Sequence, residues 1–291
     1  MPQSADAVIE TLETAKEENL LSRLRQEQLV NLPAQGEVWM TGDIHDNRNN
    51  FRKIVRKADL GNNPQRHLVL HELIHGDHFD ANGAEDSWVM LVAAAELKCD
   101  FPDQVHFMLA NHDLAQIHGE GIMKSGLSVC EAFRAALKRD FPDKYHRIEA
   151  TMSDFFLSFP LGIRCQNGLL FTHSLPTDKE IDTFDYTVFD RPLKGEDYRR
   201  KTGPAYQLIW GRHMSEETVD KFAQNMKARI VINGHQPQEM GYATNGPRQL
   251  IIASDHNQGV YLPLNLSVDY TMQELVSGLR KIVGISFDED E

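Results

Sequence analysis

The sequence predicts a layered α/β fold, and two observations lead to that prediction. Short apolar runs of three to five residues recur along the chain, and each leads into Gly, Asp, Asn or His. Longer amphipathic stretches, such as residues 86–97, lie between them. Short continuous apolar runs suit buried strands, whereas the longer stretches suit helices. Strands that alternate with helices predict a sheet covered by helices.

The first segment, residues 1–36, is expected to be helical and to pack on the core. Apolar side chains recur at mostly helical spacing between residues 4 and 31, which indicates one or two amphipathic helices. Ser4 can act as the N-cap, and Pro33 is a stop signal.

The main domain is expected over residues 37–286. The apolar runs that predict its strands are Val38–Met40, Leu68–Leu70, Val105–Leu109, Leu169–Phe171, Ile230–Ile232 and Leu250–Ile252. A helix is expected from Asp86 to Leu97. Near the end, Thr271-Met-Gln-Glu274 resembles a capping box, which would open a helix that Gly284 closes. Residues 287–291 form an acidic tail.

The charge balance excludes some partners. Thirty Lys and Arg residues against 43 Asp and Glu residues leave a formal net charge of −13 on 291 residues. This charge would not attract a nucleic-acid backbone or an anionic membrane, so we expect neither as a partner. An anionic substrate would need local positive charge, which metal ions can supply.

The cysteines and the N-terminus indicate a cytoplasmic protein. Cys99, Cys130 and Cys165 are odd in number, far apart and outside any Cys-x-x-Cys spacing. They predict neither a disulfide framework nor a zinc ribbon, and we expect reduced core thiols. The chain starts without a basic segment and apolar signal core, and no stretch approaches the ~18 apolar residues of a membrane span.

A polar motif follows each of the first five strand runs, immediately or a few residues later. In order, these motifs are Gly42-Asp43-Ile44-His45-Asp46, Gly76-Asp77-His78-Phe79-Asp80, Ala110-Asn111-His112-Asp113, Thr172-His173-Ser174 and Asn233-Gly234-His235-Gln236-Pro237. Loops at the carboxyl ends of strands form the ligand crevice of α/β sheets. Carboxylate, imidazole and amide oxygen are ligands for Mn, Fe or Zn, and their mixture without thiolate favours a hydrolytic metal site.

The order of these motifs resembles the calcineurin-like metallophosphoesterases, and within them the phosphoprotein phosphatase (PPP) branch. The similarity runs from about Val38 to about Leu266. The resemblance implies a four-layer αββα sandwich, in which two mixed β-sheets pack face to face with helices outside. It also implies a phosphoric ester hydrolase with a dinuclear metal centre, and manganese is the expected metal, with iron or zinc as alternatives.

The resemblance also implies residue roles. The metal ligands would be Asp43, His45, Asp77, Asn111, His173 and His235, with Asp77 bridging the two ions. Two ions roughly 3.5–4 Å apart can activate a shared water and clamp the phosphoryl oxygens. His112 is the candidate general acid, and Asp80 would orient it by accepting its other ring N–H.

The substrate end of the pattern departs from the PPP branch. Ala81 stands where that branch usually has the first of two phosphate-binding arginines, and Arg191 and Arg212 are both candidates for the second. The favoured function is a serine/threonine phosphoprotein phosphatase acting on a phosphorylated protein or a small phosphorylated substrate. The alternative is a nucleotide or dinucleoside-polyphosphate hydrolase, since Gly234-His-Gln-Pro resembles the bacterial form of that motif equally well.

Two other classes compete with these. His71-Glu72-Leu73-Ile74-His75 fits the His-Glu-x-x-His pattern of zinc peptidases, which requires a helix, and its apolar positions suit a helix almost as well as a strand. The Gly76-Asp77 pair that follows would break such a helix, so we disfavour a peptidase. A non-catalytic phosphate-binding relative is the third class, and the complete ligand set with His112 argues against it.

Overall fold

The computed structural model describes residues 4–119, 122–124 and 126–286, and every structural statement below concerns that part of the chain. Its α-helices are α1 (Ala5–Leu21), α2 (Arg48–Ala58), α3 (Trp88–Asp100), α4 (Asn111–His118), α5 (Val129–Asp140), α6 (Tyr145–Leu157), α7 (Pro204–Trp210), α8 (Glu216–Asn225) and α9 (Met272–Gly278). Short 3-10 helices cover Leu60–Asn62, Tyr186–Asp190, Gly195–Tyr198 and Ile282–Gly284.

The strands form two large mixed sheets and one hairpin. They are β1 (Arg25–Gln26), β2 (Leu29–Asn31), β3 (Glu37–Asp43), β4 (Arg66–His71), β5 (Val105–Met108), β6 (Met123–Lys124), β7 (Leu127–Ser128), β8 (Gly162–Arg164), β9 (Leu169–Thr172), β10 (Ile230–Asn233), β11 (Tyr242–Asn245), β12 (Gln249–Ile252), β13 (Val260–Asn265) and β14 (Arg280–Lys281). The seven-stranded sheet has the order β1-β2-β8-β9-β10-β12-β11, and the five-stranded sheet has the order β14-β13-β3-β4-β5. The hairpin consists of β6 and β7.

Side-chain alternation shows that the two large sheets pack face to face. Met40 of β3 and Ile232 of β10 come from different sheets, yet both belong to one buried apolar cluster. Their neighbours Trp39 and Val231 point to the opposite faces and belong to the cluster that the helices complete. The predicted four-layer αββα sandwich is therefore confirmed.

Parallel pairing gathers the strand ends at one edge of the sandwich. Strands β3, β4 and β5 are mutually parallel, and so are β9, β10 and β12 in the other sheet. A parallel bridge between Asp43 and Ala253 joins the ends of β3 and β12. The loops that follow strands of both sheets consequently meet at this edge.

Most predicted elements agree with the structure. All six apolar runs lie in strands, although Leu109 falls one residue beyond β5. The predicted capping box is present, since the Thr271 hydroxyl accepts from the Glu274 backbone N–H and the Glu274 carboxylate accepts from the Thr271 N–H. However, α9 ends at Gly278 rather than near Gly284, because β14 pairs with β13 there.

The N-terminal segment is only partly helical. Ser4 caps α1, but the helix ends at Leu21. Expecting helix as far as residue 31 was wrong, because β2 pairs in parallel with β8 and buries Leu29 and Val30 in the seven-stranded sheet. The three cysteines are free, and no described helix is long and apolar enough to cross a membrane. The acidic tail, residues 287–291, lies outside the described residues.

Candidate metal centre and active site

Five polar side chains meet where the strands end. Asp43 is the last residue of β3, Asn111 begins the helix after β5, His173 follows β9, and His235 lies two residues beyond β10. All four are buried, and His45 follows Asp43 at the edge of the same site. The sequence predicted these five as metal ligands, and the structure brings them together.

The backbone is strained at several of these positions. His45, Glu72, His75 and His235 have φ values of 43, 48, 65 and 66°, in the left-handed region that non-glycine residues rarely adopt. Gly234 precedes His235 and permits close packing, because a Cβ there would lie 2.2 Å from Asp43 Oδ1. Such strain costs of order 1–3 kcal/mol per residue and is concentrated at functional sites.

Asn111, His173 and His235 form the tightest part of the site. His173 Nε2 lies 2.9 Å from Asn111 Oδ1 and 3.1 Å from His235 Nδ1. The distance between His235 Nδ1 and Asn111 Oδ1 is 2.8 Å. Three potential metal-ligand atoms from different strand-end loops therefore lie within 3.1 Å of one another.

Asp43 and His45 present their ligand atoms to the same volume. Asp43 Oδ1 accepts a hydrogen bond from the His235 backbone N–H at 2.9 Å and lies 3.8 Å from His173 Nδ1. His45 Nδ1 lies 3.0 Å from the Ile74 carbonyl oxygen, so this nitrogen donates and Nε2 keeps its lone pair. A histidine held in this way is prepared to bind a metal through Nε2.

Glu72 lies at the centre of the site, and sequence reasoning missed it. Its side chain is buried, and Oε2 is 3.6 Å from both His45 Nε2 and His173 Nε2. Two of the three His/Asp/Glu groups with metal-binding geometry in the described chain contain Glu72, and the third contains His71. A signal was available, because Glu72 lies two residues after the run Leu68–Leu70, much as Asp43 follows its own run.

Asp77, the predicted bridging ligand, is not among the clustered ligands. Its side chain is 86% exposed, and its Oδ1 lies 3.4 Å from Lys124 Nζ at the rim of the cavity. The physical reason is that β4 ends at His71, so the chain has already turned away from the centre when it reaches Asp77. The structure places Glu72 where the sequence argument placed Asp77.

His112 lines the cavity, but Asp80 does not contact it. The His112 ring centroid lies 4.7 Å from that of His45, and its Nδ1 has no hydrogen-bond partner. The Asp80 carboxylate instead accepts from the Asn82 and Ala84 backbone N–H groups and from Arg139. The predicted pairing of Asp80 with His112 is wrong for this structure, since Asp80 stabilises its own turn.

The buried side chain of His75 lies next to His112. The ring of His75 lies 5.5 Å from the ring of His112, and its Nδ1 is 3.8 Å from Glu85 Oε1. His75 and Glu85 are fully buried, and neither ring nitrogen of His75 has a hydrogen-bond partner. The His-Glu-x-x-His motif, which we disfavoured as a peptidase signature, thus contributes His71, Glu72 and His75 to the site or its wall.

The structure distinguishes the two candidate arginines. Arg212 lines the cavity, and its Nε donates to His235 Nε2 at 3.0 Å. Arg191 does not line it, because its guanidinium binds both oxygens of Asp197 at 2.7 Å and also contacts Asp185. Of these two arginines, Arg212 is the one that lines the cavity.

The electrostatics of the centre suit bound cations. Burial lowers the pKa of His45 and of His235 to about 3 and that of His71 to about 4, so these imidazoles are neutral. Burial also raises the pKa of Asp43 and Glu72, whose carboxyl groups hydrogen-bond to each other, and their mutual repulsion raises that of Glu72 further. Neutral imidazoles and paired carboxyl groups around one volume are a donor set that divalent metal ions fit.

The centre opens into a cavity of about 330 Å³. Its described lining residues are Asp43, His45, Glu72, Asp77, His112, Lys124, Arg212, His235, Gln236, Pro237, Ala253 and Asp255. A neighbouring groove of about 460 Å³ shares His45, Asp77 and Asp255 with it. The two spaces therefore adjoin at these three residues.

A face-to-face sandwich of mixed sheets with a buried carboxylate, imidazole and amide cluster at its strand ends defines the class of metal-dependent hydrolases. The family profile described as calcineurin-like phosphoesterase matches residues 36–239, and the chain belongs to this family. The family is dinuclear and metal-dependent, which agrees with the clustered ligands.

Individual relatives agree with this assignment. A probable serine/threonine-protein phosphatase of Encephalitozoon cuniculi (strain GB-M1) is 23% identical over 286 residues, which cover 89% of this chain and 56% of the relative. The chain thus spans about half the length of that curated relative.

Solved structures show the same fold. A Saccharomyces cerevisiae serine/threonine phosphatase with similarity to human phosphatase PP5 superposes with a TM-score of 0.66 at 16% identity, covering 90% of this chain and 82% of the other. A cold-active protein-tyrosine phosphatase of a Shewanella species gives a TM-score of 0.58 at 15% identity, covering 87% and 85%.

Proposed function

We propose that this protein is a metal-dependent phosphatase that hydrolyses phosphate monoesters, and that its substrates are proteins phosphorylated on serine or threonine. The observation that carries the proposal is the convergence of Asn111, His173 and His235 within 3.1 Å, with Asp43, His45 and Glu72 around them. The named phosphatase relatives support the same chemistry.

The two ions would be held by residues of both sheets. Asp43, His45 and His235 would hold one ion and Asn111 and His173 the other, and we assign the bridging carboxylate to Glu72 instead of Asp77. When bound, two such ions polarise the phosphoryl oxygens and activate a water, and we expect manganese, with iron or zinc as alternatives. No side chain of the protein then has to act as the nucleophile.

Arg212 and His112 would serve the substrate directly. Arg212 would donate its remaining N–H groups to phosphate oxygens, which guanidinium groups bind well. A ring N–H of His112 would protonate the departing serine or threonine oxygen. Burial and neighbouring histidines lower the pKa of His112, and a phosphate dianion beside the ring would raise it again.

The shape of the cavity and its adjoining groove favours a protein substrate over a nucleotide. The cavity adjoins the 460 Å³ groove, which could accept polypeptide next to a phosphorylated residue. Among the described lining residues of both spaces there is no Phe, Tyr or Trp that could stack on a nucleobase. The dinucleoside-polyphosphate alternative therefore has weaker support.

Metal removal is the first test. We expect exhaustive chelation to abolish hydrolysis of an aryl phosphate and Mn²⁺ to restore it, because the water is activated by the ions. The measurement is the initial rate before chelation, after it, and after addition of Mn²⁺, Fe²⁺ or Zn²⁺. Full activity in the metal-free protein would contradict the proposal.

The same preparation tests the substrate class. Phosphoserine, phosphothreonine and phosphotyrosine peptides of one sequence should be compared with a dinucleoside polyphosphate at equal concentration. We expect the serine and threonine peptides to give the highest kcat/KM. Faster hydrolysis of the nucleotide would replace the proposed substrate with the alternative, and faster hydrolysis of the tyrosine peptide would reassign the residue specificity.

A further inference from the structure

Besides the proposed metal ions, few positively charged side chains line the cavity. A phosphate monoester carries up to two negative charges, and the chain as a whole has a formal charge of −13. Ala81 provides no charge. Lys124 and Arg212 are the Lys and Arg side chains among the described residues that line the cavity.

Lys124 is held in a defined position at the cavity. It lies on β6 of the small hairpin, and its side chain is 24% exposed. Its Nζ donates to the carbonyl oxygen of His75 at 2.6 Å and lies 3.4 Å from Asp77 Oδ1. An ammonium group has three N–H donors, so these two contacts with described residues leave a third donor for a ligand.

Lys124 lines the same cavity as His45 and His112, so its ammonium group lies near the centre of the site. Lys124 comes from the hairpin, whereas Arg212 follows α7, so separate loops supply the two cations. A lysine acts as a point charge with rotatable donors and can serve where the planar fork of arginine is missing.

We propose that Lys124 is the second phosphate-binding cation of this site and that Asp77 is its positioning residue. The proposal rests on the proposed phosphatase function. It assigns a role to Asp77, whose exposed carboxylate faces the ammonium group of Lys124 and lies outside the clustered ligands. The alternative is that Lys124 only ties down the loop at His75.

Three substitutions separate these roles. Lys124→Gln retains a polar side chain with N–H donors but removes the charge, Lys124→Arg keeps the charge, and Asp77→Asn keeps the size of the side chain but removes its charge. The matched control is Lys221→Gln, since Lys221 pairs with Asp182 at the surface and does not line the cavity. The measurements are kcat, KM, the inhibition constant of inorganic phosphate and the metal content of the purified holoprotein.

We expect Lys124→Gln to raise KM and the inhibition constant of phosphate by ~10-fold, as losing one charged hydrogen bond predicts, with metal content unchanged. Lys124→Arg should restore most of this, Lys221→Gln should change neither constant, and Asp77→Asn should raise both constants ~3-fold with both ions retained. Unchanged constants in Lys124→Gln would overturn the proposal. Loss of metal in Asp77→Asn would overturn the role of Asp77 and return it to the bridging position.

Direct binding separates this proposal from the proposed function. Calorimetric titration of the Mn²⁺-loaded protein with inorganic phosphate needs no turnover. The wild-type protein could hydrolyse no phosphate ester while Lys124→Gln still weakens phosphate binding ~10-fold. Phosphate binding by Lys124 would then be supported, and the phosphatase assignment would be wrong. If the wild-type protein is active and Lys124→Gln binds phosphate normally, the proposed role of Lys124 is wrong and the phosphatase assignment is unaffected.

Discussion

Histidines are buried at both ends of the β4 and β5 strand pair, but their ring nitrogens differ in hydrogen bonding. At the amino end, His67 Nδ1 lies 3.0 Å from His106 Nε2, and burial keeps the pKa of both rings low. Beside them, Lys98 Nζ donates to the carbonyl oxygens of Pro102 and Val105 at 2.6 and 2.9 Å. Each of these polar groups has a partner within the protein.

At the carboxyl end, several buried ring nitrogens have no hydrogen-bond partner among the described residues. Both ring nitrogens of His75 and the Nδ1 of His112 lack partners, and Glu72 shares a buried space with Asp43. Buried polar groups normally find partners, so such a cluster indicates a site completed by something the chain does not contain. The comparison shows that a buried histidine is structural where its nitrogens are paired and functional where its lone pairs converge.

Glu72→Gln gives the largest expected effect at the carboxyl end. Replacing the proposed bridging carboxylate by an amide should lower kcat/KM by ~10³-fold or more and reduce the bound metal, because an amide nitrogen cannot bridge two ions. The free energy of unfolding of the metal-free protein should not fall, since one of two adjacent buried carboxyl groups is removed. Metal analysis, steady-state kinetics and urea titration measure these three quantities, and a fully active variant with both ions bound would return Glu72 to a structural role.

His112→Asn should have the next largest effect. Loss of the proton donor should slow an alkyl phosphate by ~10²-fold and an activated aryl phosphate much less, because a phenolate leaves without help. The two substrates are compared by kcat with the same enzyme preparation. Equal losses on both would show that His112 contributes something other than a proton to the leaving group.

Lys98→Met has the smallest expected effect and tests the amino end of the β4 and β5 pair. Burial lowers the pKa of Lys98 to about 8, below its ordinary value of 10.5, so between these pH values the unfolded chain binds more protons than the folded protein. The free energy of unfolding of the wild type should therefore rise with pH across that window relative to the variant, at up to about 1.4 kcal/mol per pH unit. Urea titrations at pH 8 and 9.5 measure the change. A difference in the free energy of unfolding that does not change with pH would mean that the amine is not buried as described. A loss of activity in Lys98→Met would show that the amino end also contributes to function.

The sequence by itself determined much of this protein. Apolar runs predicted the strands of both sheets. The polar residues after these runs were expected at one edge, and the structure places five of them there: Asp43, His45, Asn111, His173 and His235. This worked because the ends of parallel strands share an edge, so order along the chain becomes proximity in space.

Tertiary structure alone decided the rest. Glu72 and Asp77 both follow the run that becomes β4, and the choice between them depends on where pairing with β3 and β5 ends that strand, at His71. The sequence did not distinguish Arg191 from Arg212 as the phosphate-binding arginine. In the structure Arg191 pairs with Asp197, whereas Arg212 lines the cavity. Lys124 had no motif at all, because its place at the site depends on the hairpin folding back over the loop at His75, a contact between segments 49 residues apart.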